Sequence, residues 1–310
     1  MNRVLVTGAS GFVGRHVIAP LLARGFEVHT VARRPLSGLE AHRHAIDLLE
    51  PEAPDRILTA VRPTHLLHLA WYTVHREFWT SVENLRWVEA SLRLLRRFHE
   101  LGGRRAVLAG TSAEYDWSGG ICVERRTPLA PQALYGAAKN GLREVATAYA
   151  GTVGLELAWG RIFFLYGPHE HPERLVASVA RALLRGERAP VSGGSQRRDY
   201  LYVEEAAAAF AALLDSEIVG PVNIGSGTAP TVRAIVETIA AGIGRPELVE
   251  LGRRGPDDRA PLVVADVRRL RDELGWSPAV ALEDGIARTI DWWRAAEAAA
   301  GSATVKARER

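Results

Sequence analysis

Tyr135 and Lys139 stand four residues apart in a run, Leu134 to Ala150, that reads as a helix. That spacing puts both side chains on one face, one turn apart. An ammonium beside a phenol favours the phenolate, so the tyrosine pKa is expected to fall toward a value useful for proton transfer near neutral pH. Among 39 basic residues only Lys139 and Lys306 are lysines; the rest are arginines. A compact ammonium is a different tool from a guanidinium, which is bulkier and does not deprotonate. The spacing is common by chance, and its meaning depends on what surrounds it.

The second chemical signal is Thr7-Gly8-Ala-Ser10-Gly11-Phe12-Val13-Gly14, directly after the apolar run Val4-Leu-Val and directly before an amphipathic stretch reaching Arg24. Strand, glycine-rich turn and helix in that order let a pyrophosphate approach a helix N-terminus, where free N–H groups and the helix dipole favour anions. The spacing is Gly-x-x-Gly-x-x-Gly rather than the commoner Gly-x-Gly-x-x-Gly. Glu27 to Ala32 reads as the second strand and runs into Arg33-Arg34, with no acid to hold an adenosine ribose hydroxyl. Arginines there favour a 2′-phosphate, hence NADP over NAD. His44 to Leu48 reads as a short strand whose Asp47, next to Leu48, could accept from the adenine amine.

These groups need elements to carry them. Thr64 to Ala70 is a further apolar strand; its end, Leu69-Ala70-Trp71, is expected beside the cofactor, because ligands in such sheets bind off the carboxyl ends of strands. The loop from Trp71 to Trp79 is rich in aromatic and polar groups, and Tyr72 and His75 with Trp71 are candidates for a substrate pocket. Helices are expected over Pro54 to Val61 and Ser81 to Leu101. Arg105 to Gly110 is a strand with Thr111, Ser112 and Ala113 at its carboxyl end, where hydroxyls could bond a substrate oxygen. Leu155 to Phe164 is strand-like. Helices follow at Glu173 to Arg185, Leu201 to Leu214, Thr231 to Gly242 and Leu282 to Trp293, with a short strand at Val222 to Gly225. His169-Glu-His171 lacks a third ligand at familiar spacing, so no metal is expected.

Composition bounds the function. With 310 residues, 47% hydrophobic and 24% charged, the chain reads as a soluble globular protein able to bury a large core. No apolar run is long enough to span a membrane, and the N-terminus lacks signal-peptide features. A single cysteine fits a reducing cytoplasm. The net charge of +3 comes from interspersed signs without a basic stripe, which argues against nucleic acid.

Together the motifs resemble the extended short-chain dehydrogenase/reductase family, in its group of nucleotide-sugar epimerases, dehydratases and 4-ketoreductases. The resemblance rests on Gly8, Gly11 and Gly14; Thr111; Tyr135 with Lys139; Tyr166-Gly-Pro168; Arg198-Asp-Tyr-Leu-Tyr-Val203; Asn223-Ile-Gly225; and Leu274-Gly-Trp-Ser-Pro278. It implies an α/β fold: a Rossmann-like doubly wound parallel sheet over residues 1–165, with a return over about 201–225. A smaller mixed α/β substrate domain would comprise 166–200 and 226–300, ahead of a flexible tail at 301–310. It also implies roles. The three glycines would cradle the pyrophosphate, Tyr135 would be the acid/base, and Lys139 would hold the nicotinamide ribose. Thr111 would bond the reacting oxygen, with Ser112 as the alternative, and Arg198 and Arg259 would grip the diphosphate.

Two departures refine the expectation. Dehydratases of the group resemble one another in an Asp-Glu pair after the threonine; Ser112-Ala113 stand there instead, so dehydration is not expected. Many relatives carry Asn where this chain has Phe164, which removes an amide contact to substrate. The main reading is an NADPH-dependent reductase of a nucleotide-linked 4-keto-6-deoxy sugar. The alternatives are a nucleotide-sugar 4-epimerase and a non-catalytic dinucleotide-binding sensor or scaffold. The resemblance further implies a homodimer formed through the helices at 81–101 and 135–150.

Overall fold

The computed structural model describes residues 2–33, 40–253, 255 and 260–308. Its centre is a seven-stranded, fully parallel sheet. The strands are β1 (Arg3–Thr7), β2 (Glu27–Ala32), β3 (His42–Ala45), β4 (His65–His68), β5 (Arg105–Thr111), β7 (Glu156–Ile162) and β12 (Gly220–Ile224), in the order β12-β7-β5-β4-β1-β2-β3. β6 (Ile121–Cys122) lies outside this sheet. All seven residues of β5 are buried, as expected of a strand covered on both faces. One face packs on α1 (Gly14–Ala23) and α6 (Val203–Leu214); the other packs on α2 (Ala53–Val61), α3 (Glu83–Glu100) and α4 (Leu134–Val153). Chain order reverses between β1 and β4, which makes the carboxyl ends of those strands the place for a ligand.

Small residues set how closely the layers approach. α6 buries Ala206, Ala207, Ala209 and Ala211 completely, so its backbone lies near the sheet, and Phe210 fills the space above Gly160. A side chain at Gly160 would meet the Phe210 ring at 2.5 Å. Burying such a ring contributes about 1.5–3 kcal/mol. The far end of α6 is closed by a buried arginine. Arg105 donates to the carbonyls of Leu213 at 2.7 Å, Leu214 at 2.9 Å and Ile218 at 2.8 Å. A cation there satisfies the last carbonyls and complements the helix dipole.

Helices beyond the large sheet form a hydrophobic cluster of their own. α5 (Leu175–Leu184), α7 (Val232–Ile243) and α8 (Leu282–Arg308) enclose Val179, Ile235, Ile239, Ile286 and Trp293. Short parallel pairings edge it: β8 (Phe164–Tyr166) with β11 (Tyr200–Tyr202), β9 (Ala189–Pro190) with β13 (Val249–Glu250), and β10 (Arg197–Arg198) with β14 (Leu262–Ala265), itself paired to β6.

Some elements differ from the sequence reading, and the stretch Leu155 to Phe164 divides into β7 in the large sheet and the start of β8 outside it. β3 begins two residues earlier and stops at Ala45, leaving Asp47 beyond its end, where Asp47 Oδ1 accepts from the Leu49 amide at 3.0 Å. The side-chain bond closes a local turn, which ends the strand. Leu201 and Tyr202 belong to a strand rather than to the helix that follows, because their backbone pairs with Leu165 and Tyr166. α8 runs to Arg308, past Trp293 and through most of the stretch read as a tail; its alanine-rich sequence holds no proline, and the helix passes through Gly285 and Gly301.

Candidate active site

The turn after β1 is shaped by what it cannot hold. Gly8 has φ of +72°, and a Cβ there would lie 2.7 Å from the Ala70 nitrogen at the end of β4. A Cβ on Gly14, the first residue of α1, would lie 2.1 Å from the Gly8 carbonyl oxygen. The turn is closed by the Gly11 amide bonding the Gly8 carbonyl at 2.9 Å. This is a cradle bare of side chains at a helix N-terminus, and it fits the pyrophosphate of a dinucleotide. Ser10 is exposed at its tip, while Phe12 and Val13 pack on the core beneath.

His68 locks the cradle to its neighbour. The buried imidazole bonds Thr7 Oγ1 at 2.7 Å and Ser91 Oγ at 2.8 Å, and Thr7 Oγ1 accepts from the Ala70 amide at 3.3 Å. Burial takes the His68 pKa down to about 3, so the ring is a neutral spacer. The Leu69 amide bonds the Thr7 carbonyl at 3.2 Å.

Arg33 is exposed at the end of β2, with no acid in that strand beyond Glu27. Leu48 is part of the core. Arg34, and Arg259 of the expected diphosphate grip, lie outside the described residues.

The catalytic candidates converge at the end of β5. Thr111 caps a short 3-10 turn, Ser112–Glu114, by accepting from the Ala113 amide at 3.2 Å. Its hydroxyl lies close enough to the Tyr135 phenol to lower that group's pKa. α4 can dock this closely because Gly136 follows Tyr135; a Cβ there would lie 2.3 Å from the Ala113 carbonyl oxygen. Lys139, one turn on, donates from Nζ to the Ala109 carbonyl at 2.8 Å and lies 3.7 Å from the centre of the Trp71 ring.

The structure reverses the expected electrostatics of the pair. Burial pushes the Tyr135 pKa up to about 12, against a smaller lowering by the neighbouring Thr111. Burial takes Lys139 down to about 7, against a smaller raising by Glu114. The ammonium is aimed at Ala109 and Trp71, and it is itself poised to lose its proton, so it does not hold the phenol near neutrality. Desolvation outweighs the attraction that spacing alone suggested.

Glu114, which the sequence reading passed over, is the hub of this corner. Completely buried, its carboxylate accepts from the Thr111 amide at 2.8 Å, the Trp159 indole at 3.0 Å and Arg161 Nε at 2.7 Å. Arg161 continues to the Tyr115 hydroxyl at 2.9 Å, which donates to Asn223 Oδ1 at 2.8 Å. A fully bonded buried pair of this kind fixes the backbone that carries Thr111. The available signal was Arg161 itself, a charge inside an apolar strand that had to find a partner.

The 71–79 loop roofs the site. Phe78 and Trp79 meet the Tyr135 ring edge-on at 4.9 and 5.8 Å. Buried Asn84 pins the loop, accepting from the Trp71 indole at 2.8 Å and donating to the carbonyls of Phe78 and Ser81 at 2.8 Å each. Tyr72 bonds Glu77 at 2.5 Å. His75 stacks on His171 at 4.7 Å. Arg174 lies near enough to lower the Tyr135 pKa, a contact the sequence did not suggest. Arg198 is buried beside Phe164, its guanidinium 5.8 Å from that ring. His169 packs on Trp292 at 4.5 Å, so His169 and His171 face different partners.

Residues 4–225 match the NAD dependent epimerase/dehydratase family. The dTDP-glucose 4,6-dehydratase of Streptomyces niveus is 29% identical over 94% of this chain and 93% of its own length. Among solved structures, MoeE5 in complex with UDP-glucuronic acid and NAD is 32% identical, with a TM-score of 0.84 over 95% of this chain and 100% of that one. The Thermus thermophilus UDP-glucose 4-epimerase with NAD is 29% identical, with a TM-score of 0.79 over 94% and 99%. With its glycine cradle, its Thr111–Tyr135–Lys139 group and a sheet that superposes on these enzymes, the chain belongs to the NAD dependent epimerase/dehydratase family, an enzyme of the extended short-chain dehydrogenase/reductase type.

Proposed function

We propose that the protein reduces the 4-keto group of a nucleotide-linked deoxysugar, with NADPH as the reductant. The observation that carries this reading is the closeness of the Tyr135 phenol to Thr111 at the end of β5, with Ser112 and Ala113 in the next two positions. A nicotinamide dinucleotide, when bound, supplies the hydride. Gly8, Gly11 and Gly14 would hold its pyrophosphate and Lys139 its ribose. Tyr135, kept protonated by burial, then gives its proton to the ketone oxygen, which Thr111 fixes by a second hydrogen bond. Such proton transfer is worth about 10²–10⁴ in rate. Elimination of water or of a carboxyl group needs a further acid or base beside the sugar. The side chains following Thr111 offer a hydroxyl and a methyl, and the carboxylate of Glu114 is spent on Arg161 and Trp159. Arg33 at the end of β2 supports the 2′-phosphate. Arg198 would grip the diphosphate, and Trp71, Tyr72, His75 and Phe164 would line the sugar pocket.

A second reading is 4-epimerisation with retained NAD. It is favoured by the UDP-glucose 4-epimerase of Thermus thermophilus, whose structure contains NAD. NADPH oxidation against a panel of nucleotide 4-keto sugars separates the two. Stoichiometric oxidation with one panel member, lost in Tyr135→Phe, supports reduction. No net oxidation, together with interconversion of a nucleotide sugar by enzyme carrying NAD, would sink it. The same reading includes a homodimer. Val82, Leu85 and Val145, large apolar residues at α3 and α4, are exposed, and sedimentation at micromolar concentration tests whether a second copy covers them.

A further inference from the structure

The outer edge of the large sheet, on the far side of β1 from the catalytic pair, carries a group of ionisable side chains with no part in the chemistry above. Glu27 and His29 alternate along β2, and His42 and His44 alternate along β3. His29 is paired in register with His42, so all four side chains leave one face of the sheet. One ligand atom each from Glu27, His29 and His42 lies within 4.8 Å of the others. His29 Nε2 is 2.9 Å from Glu27 Oε1, and the His42 ring stacks on His29 at 4.5 Å. The second nitrogen of His29 is 3.0 Å from His44 Nε2.

We propose that Glu27, His29 and His42 bind a divalent transition-metal ion of the zinc class, with His44 holding the outer nitrogen of His29. Two imidazoles and one carboxylate suit zinc, with water completing a tetrahedron. Ligand atoms around such an ion stand about 3.3 Å apart, from metal–ligand distances of about 2.0–2.1 Å. Glu27 and His29, at 2.9 Å, need to part by only a few tenths of an ångström to admit the ion, and His42, exposed on the edge strand, closes the third position by a ring rotation. His44 does for His29 what an outer hydrogen-bond partner does in metal sites generally: it sets the tautomer and ring orientation. Arg3 opposes the ion. Its Nε is 3.0 Å from the same Glu27 oxygen, and its Nη1 is held by the Val61 carbonyl at 2.6 Å. That neighbour makes the site weaker than a closed structural one. A bound ion would clamp β3, the edge strand, to β2.

The test is a calorimetric titration of zinc chloride into tag-free, chelator-stripped protein at pH 7.5. One ion per chain is expected, with a higher melting temperature that returns to its starting value on adding chelator. His42→Ala and His44→Ala should each weaken binding about tenfold or more. Both replace side chains on the outermost strand, and circular dichroism checks the fold of each. Cobalt(II) should give the visible absorption of a tetrahedral nitrogen–oxygen site, absent in His42→Ala. His75→Ala with His171→Ala removes the other stacked histidine pair and should leave the isotherm unchanged. Absence of zinc binding, undiminished affinity in folded His42→Ala, or loss of affinity in the His75/His171 variant would each overturn the proposal.

Discussion

Replacing Lys139 with methionine should abolish turnover and, in neutral or acidic solution, make the protein more stable. Lys139 is 3% exposed, and its pKa falls from 10.5 to about 7 because burial penalises the ammonium. Between those two values the unfolded chain binds the proton more tightly than the folded one, so the stability of the parent rises with pH across that window. At about 1.36 kcal/mol per unit, the buried charge costs roughly 4–5 kcal/mol below pH 7 and nothing above pH 10.5. Methionine removes that cost but leaves the Ala109 carbonyl without its 2.8 Å partner, worth about 1–3 kcal/mol. The variant should therefore be about 2 kcal/mol more stable than the parent at pH 6. The difference should then shift against it by roughly 4 kcal/mol on going to pH 10. Urea denaturation of both proteins at half-unit steps reads this directly. Buried Glu170, whose pKa is pushed up to about 8, is common to both and cancels in the difference. A difference that stays constant from pH 6 to pH 10 would refute the reasoning, because Lys139 would then titrate as in water.

Glu114→Gln keeps the size of the side chain but leaves Arg161, itself completely buried, facing a neutral amide. It should cost about 3–5 kcal/mol in stability, read by denaturant melts; a loss under 1 kcal/mol would mean that water or another acid already shares Arg161. Gly14→Ala puts a methyl group 2.1 Å from the Gly8 carbonyl, and dinucleotide binding followed by fluorescence should be lost. Gly151→Ala is the contrasting case. It lies within α4 with open space around it, and should stabilise by about 0.5–1 kcal/mol without changing cofactor affinity.

What the sequence conveyed depended on how far apart the cooperating residues lie. The glycine turn and the Tyr135–Lys139 spacing are each written inside one element, and both appear in the structure where the pattern put them. The parallel pairing of the large sheet follows from alternation of strands and helices. Glu114, Arg161 and Tyr115 were less accessible, because their partnership is made by packing 46 or 47 residues apart in sequence. His68 was hidden in the same way: inside an apolar strand it reads as a tolerated exception, and only the fold supplies Thr7 and Ser91. The Tyr135 acidity was misjudged because spacing gives proximity and says nothing of dehydration. The edges of β3 and α6 moved because a side-chain turn at Asp47 and a strand pairing at Leu201 overrode local preference.

The Trp71 ring lying on Lys139 bears on how this protein can be labelled. An arginine-rich chain offers amine reagents very few targets, namely the N-terminus, Lys139 and Lys306. Burial takes the Lys139 pKa down to about 7, so near neutral pH much of its amine is unprotonated and able to attack an acylating reagent. It is also sealed under an indole that Asn84 keeps in place. Its acylation rate is therefore a clock for the indole's departures, and a cofactor that lifts or replaces Trp71 will announce itself as a change in the tempo of a single-site modification.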